Sequence, residues 1–245
     1  MIEHIREVTT VTPAEYDLPT ETVVVRGDDM TLEDVVAVAR KRVPAALTEE
    51  SSIVERVVAA ATCIEDAACS GMPVYGVTSG FGGMADVIIT PEDASELQNN
   101  IIWYHKTGAG DNLPVEDVRA SMLLRANTLM KGVSGARLEL IQRIVDFLNA
   151  DVTPRVPELG SIGASGDLVP LTYIAGSLIG LDPCFTVDYE GEELPSTEVL
   201  ERLGLRRMNM QPKEGLAMIN GTSVMTGVAA NCVYDMRSLL ALTLG

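Results

Sequence analysis

Apolar residues recur at helical spacing through most of the chain. From Leu32 to Arg42, Val35, Val36 and Ala39 share one face; Thr31 stands three residues ahead of Asp34 as a capping pair, and Pro44 lies beyond the end. A longer helical pattern runs from about Glu49 to Ser70 and stops at Gly71. Thr90-Pro91-Glu92-Asp93 combines an N-cap, a proline at the first helical position and two acids where the macrodipole favours negative charge, so a helix is predicted from there through Tyr104. Val115 to Lys131 and Ser134 to Asn149 read as two more helices separated at Gly132, with Arg119 and Arg125 expected on a solvated face. Further helices are predicted over Asp167 to Ile179, over 196 to 203, and from near Ser223 onward. Strand patterns are few. Val8 to Val11 and Thr22 to Val25 belong to an extended leader over residues 1–30 that ends in the turn Gly27-Asp28-Asp29, and Phe185 to Leu194 alternates about Glu190-Gly191 as a small hairpin.

The expected fold class is therefore mainly α. Composition agrees: 47% of the 245 residues are hydrophobic but only 4% are aromatic, so the core is built from Val, Leu, Ile, Ala and Met. A net charge of −17 argues against nucleic acid or an anionic membrane as partner. No uncharged apolar run reaches 18 residues, and Met1 to Arg6 carries charge where a signal peptide would be apolar, so the expected location is cytoplasmic. Cys63, Cys69, Cys184 and Cys232 show no CxxC spacing and there are two histidines, which supports neither a disulfide framework nor a metal site; the cysteines are expected to be small buried residues. The last helix carries Leu239, Leu240, Leu242 and Leu244 up to Gly245 with no polar closing turn, as expected of a helix that is cut short.

The densest run of small residues is Gly160-Ser161-Ile162-Gly163-Ala164-Ser165-Gly166-Asp167, directly before an apolar helix. A phosphate cradle fits poorly, because no lysine follows the last glycine and no apolar strand precedes the first. A tightly bent backbone offers different chemistry. If the Ala164-Ser165-Gly166 turn is compressed, the Gly166 nitrogen can attack the Ala164 carbonyl carbon; loss of that water and of the Ser165 hydroxyl as a second water leaves an exocyclic methylene, which is a strong electrophile.

The setting sharpens this. With Tyr75-Gly76-Val77-Thr78-Ser79-Gly80-Phe81-Gly82 upstream and Asn220-Gly221-Thr222-Ser223 downstream, the chain from about residue 30 onward resembles the aromatic amino acid ammonia-lyase and aminomutase family, especially its cyanobacterial phenylalanine type. The resemblance implies a 4-methylideneimidazol-5-one (MIO) group made autocatalytically from Ala164, Ser165 and Gly166, with no external cofactor. It implies Tyr75 as the base for the substrate β-proton, on a glycine-flanked loop suited to closing over substrate, and Asn220 as a contact to the substrate or the prosthetic group. A phenol serves as a base at moderate pH only where donors or positive charge favour its anion. Gly82, Tyr104, His105 and Leu168 match substrate-binding positions. In the family, phenylalanine enzymes carry Phe-Leu where this chain has Tyr104-His105, tyrosine lyases His-Leu, and histidine lyases Ser-His; this pair matches none of them. His105 supplies a polar ring able to pair with a phenol or an imidazole, which leans the reading toward L-tyrosine.

The resemblance further implies an N-terminal half of the ammonia-lyase fold: the leader, a loop-rich MIO-bearing domain over 31–222, and the beginning of a central helical bundle over 223–245. Family members run to roughly twice this length, and their second half supplies a carboxylate-binding arginine, another loop tyrosine and subunit contacts. The expected function is non-oxidative deamination of L-tyrosine or L-phenylalanine to the arylacrylate and ammonia, in a homotetramer or with a complementing C-terminal chain. A 2,3-aminomutase, a histidine ammonia-lyase, and an inactive piece or partner subunit of a split enzyme stand as alternatives.

Overall fold

A computed structural model describes residues 18–70, 73–90 and 93–244. Nine helices are found among the described residues: α1 (Leu32–Arg40), α2 (Ser51–Cys69), α3 (Ala94–His105), α4 (Val115–Leu129), α5 (Leu138–Asn149), α6 (Leu168–Ile179), α7 (Ser196–Arg202), α8 (Glu214–Ile219) and α9 (Ser223–Leu244). The small sheets pair β1 (Val23–Val25) with β2 (Ala45–Leu47) in parallel and β3 (Ala109–Asn112) with β5 (Pro157–Leu159) antiparallel. A third sheet lays β4 (Thr153–Pro154) beside the hairpin of β6 (Thr186–Tyr189) and β7 (Glu192–Pro195). The mainly α expectation holds.

Helix α4 is the axis of the core, because it is buried on nearly every face: Val118, Ala120, Met122, Leu123 and Ala126 are all buried, as are its polar Arg119, Ser121, Arg125 and Asn127, and α1, α5 and α9 pack about it. The α9 contact is tight. A Cβ on Gly227 would lie 2.6 Å from Ser121 Oγ and 2.7 Å from its backbone nitrogen, so only glycine lets the two backbones approach this closely. α1 carries the predicted capping box, Thr31 Oγ1 accepting from Asp34 N at 3.1 Å while Asp34 Oδ2 accepts from Thr31 N at 2.9 Å.

Several expectations are corrected. Arg119 and Arg125 are not solvated but 1% and 3% exposed. Arg119 donates to the Val38 and Leu148 carbonyls and to the Asp151 carboxylate at 3.0 Å, and Arg125 donates to the Ala217 and Asn220 carbonyls, so that a cation closes open carbonyls of neighbouring segments. Burial pushes both guanidinium groups down to about 10. The four cysteines, expected to be buried, are all exposed. α5 starts at Leu138 rather than Ser134, because Gly135 adopts φ +75° and the Arg137 N–H is drawn to Glu214 Oε1 at 3.0 Å. α3 starts at Ala94, with residues 91 and 92 outside the described ones. Most of the leader likewise lies outside the described residues; its Val23–Val25 part forms β1.

α8 was not legible as an element. It spans six residues and is held by the fully buried Glu214, whose carboxylate pairs with Arg137 at 2.9 Å and accepts the Gln211 N–H at 2.7 Å. The stretch Glu214–Leu244 is long and apolar enough, by length and composition, to cross a membrane. One side of α9 packs on α4 and α1, while Met225, Met236, Leu239, Leu240, Leu242 and Leu244 are exposed in this chain.

Candidate active site

The glycine-dense loop between β5 and α6 is fastened at both flanks by Asp167, which is 3% exposed. One carboxylate oxygen accepts Ser161 Oγ–H at 2.9 Å and the other accepts the Met225 N–H in the first turn of α9, also at 2.9 Å. The Asp167 N–H donates to the Gly221 carbonyl at 2.6 Å. Between these ties Ala164 and Ser165 are exposed. Gly166 sits at φ +121°, where a Cβ would lie 2.7 Å from the Gly221 oxygen and 2.8 Å from its nitrogen. Backbone therefore meets backbone at this point, and no other residue fits. The Asn220 side-chain amide donates to the Ser165 carbonyl.

Tyr75 reaches the same place from another part of the chain. Its loop is shaped by Val74 N donating to Thr78 Oγ1 at 2.7 Å and by a single bridge between Ser79 and Ile88. The Tyr75 hydroxyl oxygen accepts the Gly82 N–H at 3.0 Å, and its ring meets Phe81 edge-on at 6.2 Å. α3 delivers the remaining residues at its C-terminal end. His105 Nδ1 lies 2.8 Å from the Ile101 carbonyl oxygen. A carbonyl only accepts, so Nδ1 carries the proton, and in the neutral ring Nε2 is left as an acceptor.

These pieces enclose a cavity of about 430 Å³ lined by Tyr75, Gly82, Tyr104, His105, Ser165, Leu168 and Asn220, with Phe81, Met84, Ile101 and Leu216 as apolar wall. Ala164 and Gly166 line a smaller adjoining cavity of about 160 Å³ that shares His105, Ser165 and Leu168. All nine residues singled out in the sequence thus converge, although more than 140 positions separate Tyr75 from Asn220. Asp167 and Arg125 were missed as contributors. Arg125 Nη2 donates to the carbonyls of Ala217 and Asn220, which fixes the turn that presents the Asn220 amide. The sequence signal is weak, because α4 also carries Glu116, Asp117, Asn127 and Thr128 and its arginines do not stand out among them.

The aromatic amino acid lyase family profile matches residues 30–244. The chain belongs to the aromatic amino acid lyase family. It is 59% identical over 226 residues to a phenylalanine ammonia-lyase of Nostoc punctiforme, covering 92% of this chain and 40% of that protein. It is 44% identical over 217 residues to a histidine ammonia-lyase of Streptococcus pyogenes, covering 89% of this chain and 41% of that one. Among solved structures, tyrosine aminomutase from Streptomyces globisporus superposes with a TM-score of 0.79 at 34% identity, over 85% of this chain and 38% of the aminomutase. The chain thus spans about two fifths of the length of the relatives it matches. The family is the MIO-dependent group of ammonia-lyases. The residues present fit such a group: the exposed Ala164-Ser165-Gly166 turn is held at both ends, its glycine cannot carry a side chain, and a side-chain amide already binds the central carbonyl.

Proposed function

We propose that this chain carries the electrophile-bearing half of an aromatic L-amino acid ammonia-lyase site, acting on L-tyrosine or L-phenylalanine to give coumarate or cinnamate and ammonia. The observation that supports it most directly is the shared cavity of Tyr75, His105, Ser165 and Asn220. When formed from Ala164, Ser165 and Gly166, the MIO group supplies an electrophilic methylidene carbon toward the substrate amine. Tyr75 is the proton acceptor for the substrate β-carbon. Its hydroxyl oxygen, oriented by the Gly82 N–H, faces the same space as Ser165. Asn220 holds the Ser165 carbonyl in place and strengthens its polarisation. Phe81, Met84, Ile101 and Leu216 exclude water and fit an aromatic side chain.

His105 favours tyrosine within this class. With Nδ1–H committed to Ile101, Nε2 accepts from a substrate O–H at the far end of the ring. Tyr104 and Leu168 flank that ring. The remaining substrate contacts, including the group that binds its carboxylate, are assigned to other polypeptide of a homo-oligomer or of a complementing chain.

The test is the intact mass of the purified chain, expressed alone and together with the coding sequence immediately downstream. Loss of two waters, about 36 Da, that is abolished by Ser165→Ala is the expected result. Production of coumarate or cinnamate from the amino acid is then followed by absorbance. An unmodified mass in both preparations overturns the proposal.

A further inference from the structure

Gln98 is a fully buried polar residue on the apolar side of α3, where Ile101, Ile102 and His105 follow at helical spacing. Its side-chain amide makes four hydrogen bonds. Nε2 donates to the Gly76 carbonyl at 3.2 Å and to the Ala94 carbonyl at 3.3 Å. Oε1 accepts the N–H groups of Gly215 at 3.1 Å and Leu216 at 3.4 Å. Two carbonyls on one side and two N–H groups on the other admit only one orientation of the amide, and both donors and both acceptor positions are used.

Three of these partners, Gly76, Gly215 and Leu216, belong to the two segments that carry the proposed chemistry. Gly76 follows Tyr75 directly. Gly215 and Leu216 are the second and third residues of α8, whose first N–H groups have no partner inside the helix. Lys213, at the N-cap, makes no side-chain cap, so Gln98 caps α8 from a neighbouring element. The other end of α8 is Asn220, bonded to Ser165. Gly76 and Leu216 also touch: a Cβ on Gly76 would lie 3.0 Å from Leu216 Cδ2.

We propose that Gln98 is a positioning residue for deamination, one amide that ties the Tyr75 loop to the helix presenting Asn220 and so sets the reach from the Tyr75 hydroxyl to the β-carbon. The inference rests on the function proposed above. No partner of Gln98 lies in the Ala164-Ser165-Gly166 turn, and a variant that keeps the acceptor capping α8 leaves the Asn220 contact to that turn in place, so MIO formation is expected to persist in it.

The discriminating variant is Gln98→Glu, tested in whichever preparation loses two waters. It keeps the acceptor for Gly215 and Leu216 and replaces the two donors to Gly76 and Ala94 with an oxygen that, buried and neutral, offers one O–H at most. The two-water loss is expected to persist and KM to change little, while kcat falls about 100-fold, the scale of a misplaced catalytic group. Substrate deuterated at the β-carbon is expected to show a larger isotope effect than in the unsubstituted protein, because proton removal becomes the slow step. In a Tyr75→Phe background the same change is expected to add almost nothing, as for two residues acting through one step. An unchanged kcat, an unchanged isotope effect, full additivity with Tyr75→Phe or a lost mass change each overturns the assignment.

Hydrogen exchange separates this failure from failure of the functional reading. Protection over residues 74–82 is expected to fall in Gln98→Glu while that of 214–220 is retained, and Gln98→Met, which lacks both halves of the amide, is expected to loosen both segments. If the unsubstituted protein neither loses two waters nor deaminates, the functional reading falls. Unchanged protection over 74–82 overturns the tie itself, with or without activity.

Discussion

Asp167→Ala removes the joint between the reactive turn and the start of α9. Two contacts are lost, the Ser161 hydroxyl and the Met225 N–H, both at 2.9 Å from a carboxylate that is 3% exposed. Met225 is the third residue of α9, so the carboxylate does the work of an N-cap there, and losing a cap costs about 1 kcal/mol. The Ser161 contact is a hydrogen bond to a charged acceptor, worth roughly 1.5–3 kcal/mol where buried. Together the variant is expected to lose about 3 kcal/mol, read by circular dichroism as a urea midpoint lowered by roughly 1 M. Because the Asp167 N–H keeps its bond to Gly221, the fold is expected to survive while the fraction of protein that has lost two waters drops. Asp167→Asn retains one acceptor and is expected to fall between the two. A midpoint within about 0.2 M of the parent, together with an undiminished mass change, would falsify this account of the joint.

Three further outcomes are expected. His105→Leu removes the acceptor at the ring end of the cavity, so kcat/KM for tyrosine relative to phenylalanine should fall about 100-fold when arylacrylate formation from the two is compared. Glu214→Ala leaves the partly exposed Arg137 guanidinium with only the weaker Glu139 ion pair and the Arg137 and Gln211 N–H groups unsatisfied, and urea unfolding should show a loss of about 3 kcal/mol; a loss below about 1 kcal/mol would contradict the role given to the buried Glu214 carboxylate. Arg40, by hydrogen bond and charge, holds the Asp235 carboxyl below the usual carboxylate range and so joins α1 to α9. A folded value below the unfolded one stabilises above the unfolded value and loses that stabilisation as pH falls through the folded one. Asp235→Asn should therefore be less stable by roughly 0.5–1 kcal/mol at pH 7, for a pair this exposed, with the difference vanishing as pH falls through the lowered folded value of Asp235. Burial moves the Asp117 carboxyl the other way and the Asp235 charge adds to that rise, so Asp235→Asn also eases Asp117 ionisation and offsets a small part of the loss.

Much of the helical layout could be read from residues alone, because its signals are local. Thr31 with Asp34, the turn at Glu190-Gly191 and the apolar run after Asp167 each act within a few positions, and the capping box, the hairpin and α6 appear where they are expected. The candidate turn Ala164-Ser165-Gly166 stands out only in its setting, since the tripeptide is common by itself and the motifs around Tyr75 and Asn220 carry the resemblance that singles it out. Failures came where a long-range partner outweighed local preference. Arg119 and Arg125 look like solvated charges until open carbonyls from other segments are set against them. Ser134 to Arg137 reads as part of the helix, yet Gly135 turns to φ +75° and Glu214, some 77 positions away, holds the Arg137 N–H, so the helix begins at Leu138.

Sequence by itself determined the helical class and the family, and it named the residues proposed to react, since these depend on side-chain chemistry and periodicity that any conformation retains. Only the tertiary structure decided the relations between them: that Asp167 fastens the turn to α9, that His105 offers Nε2 because Ile101 takes Nδ1, and that Gln98 joins the Tyr75 loop to α8. The physical reason is the short range and direction of the hydrogen bond. An amide or carboxylate can serve many partners along an extended chain, and folding selects the few that lie within about 3 Å and in line.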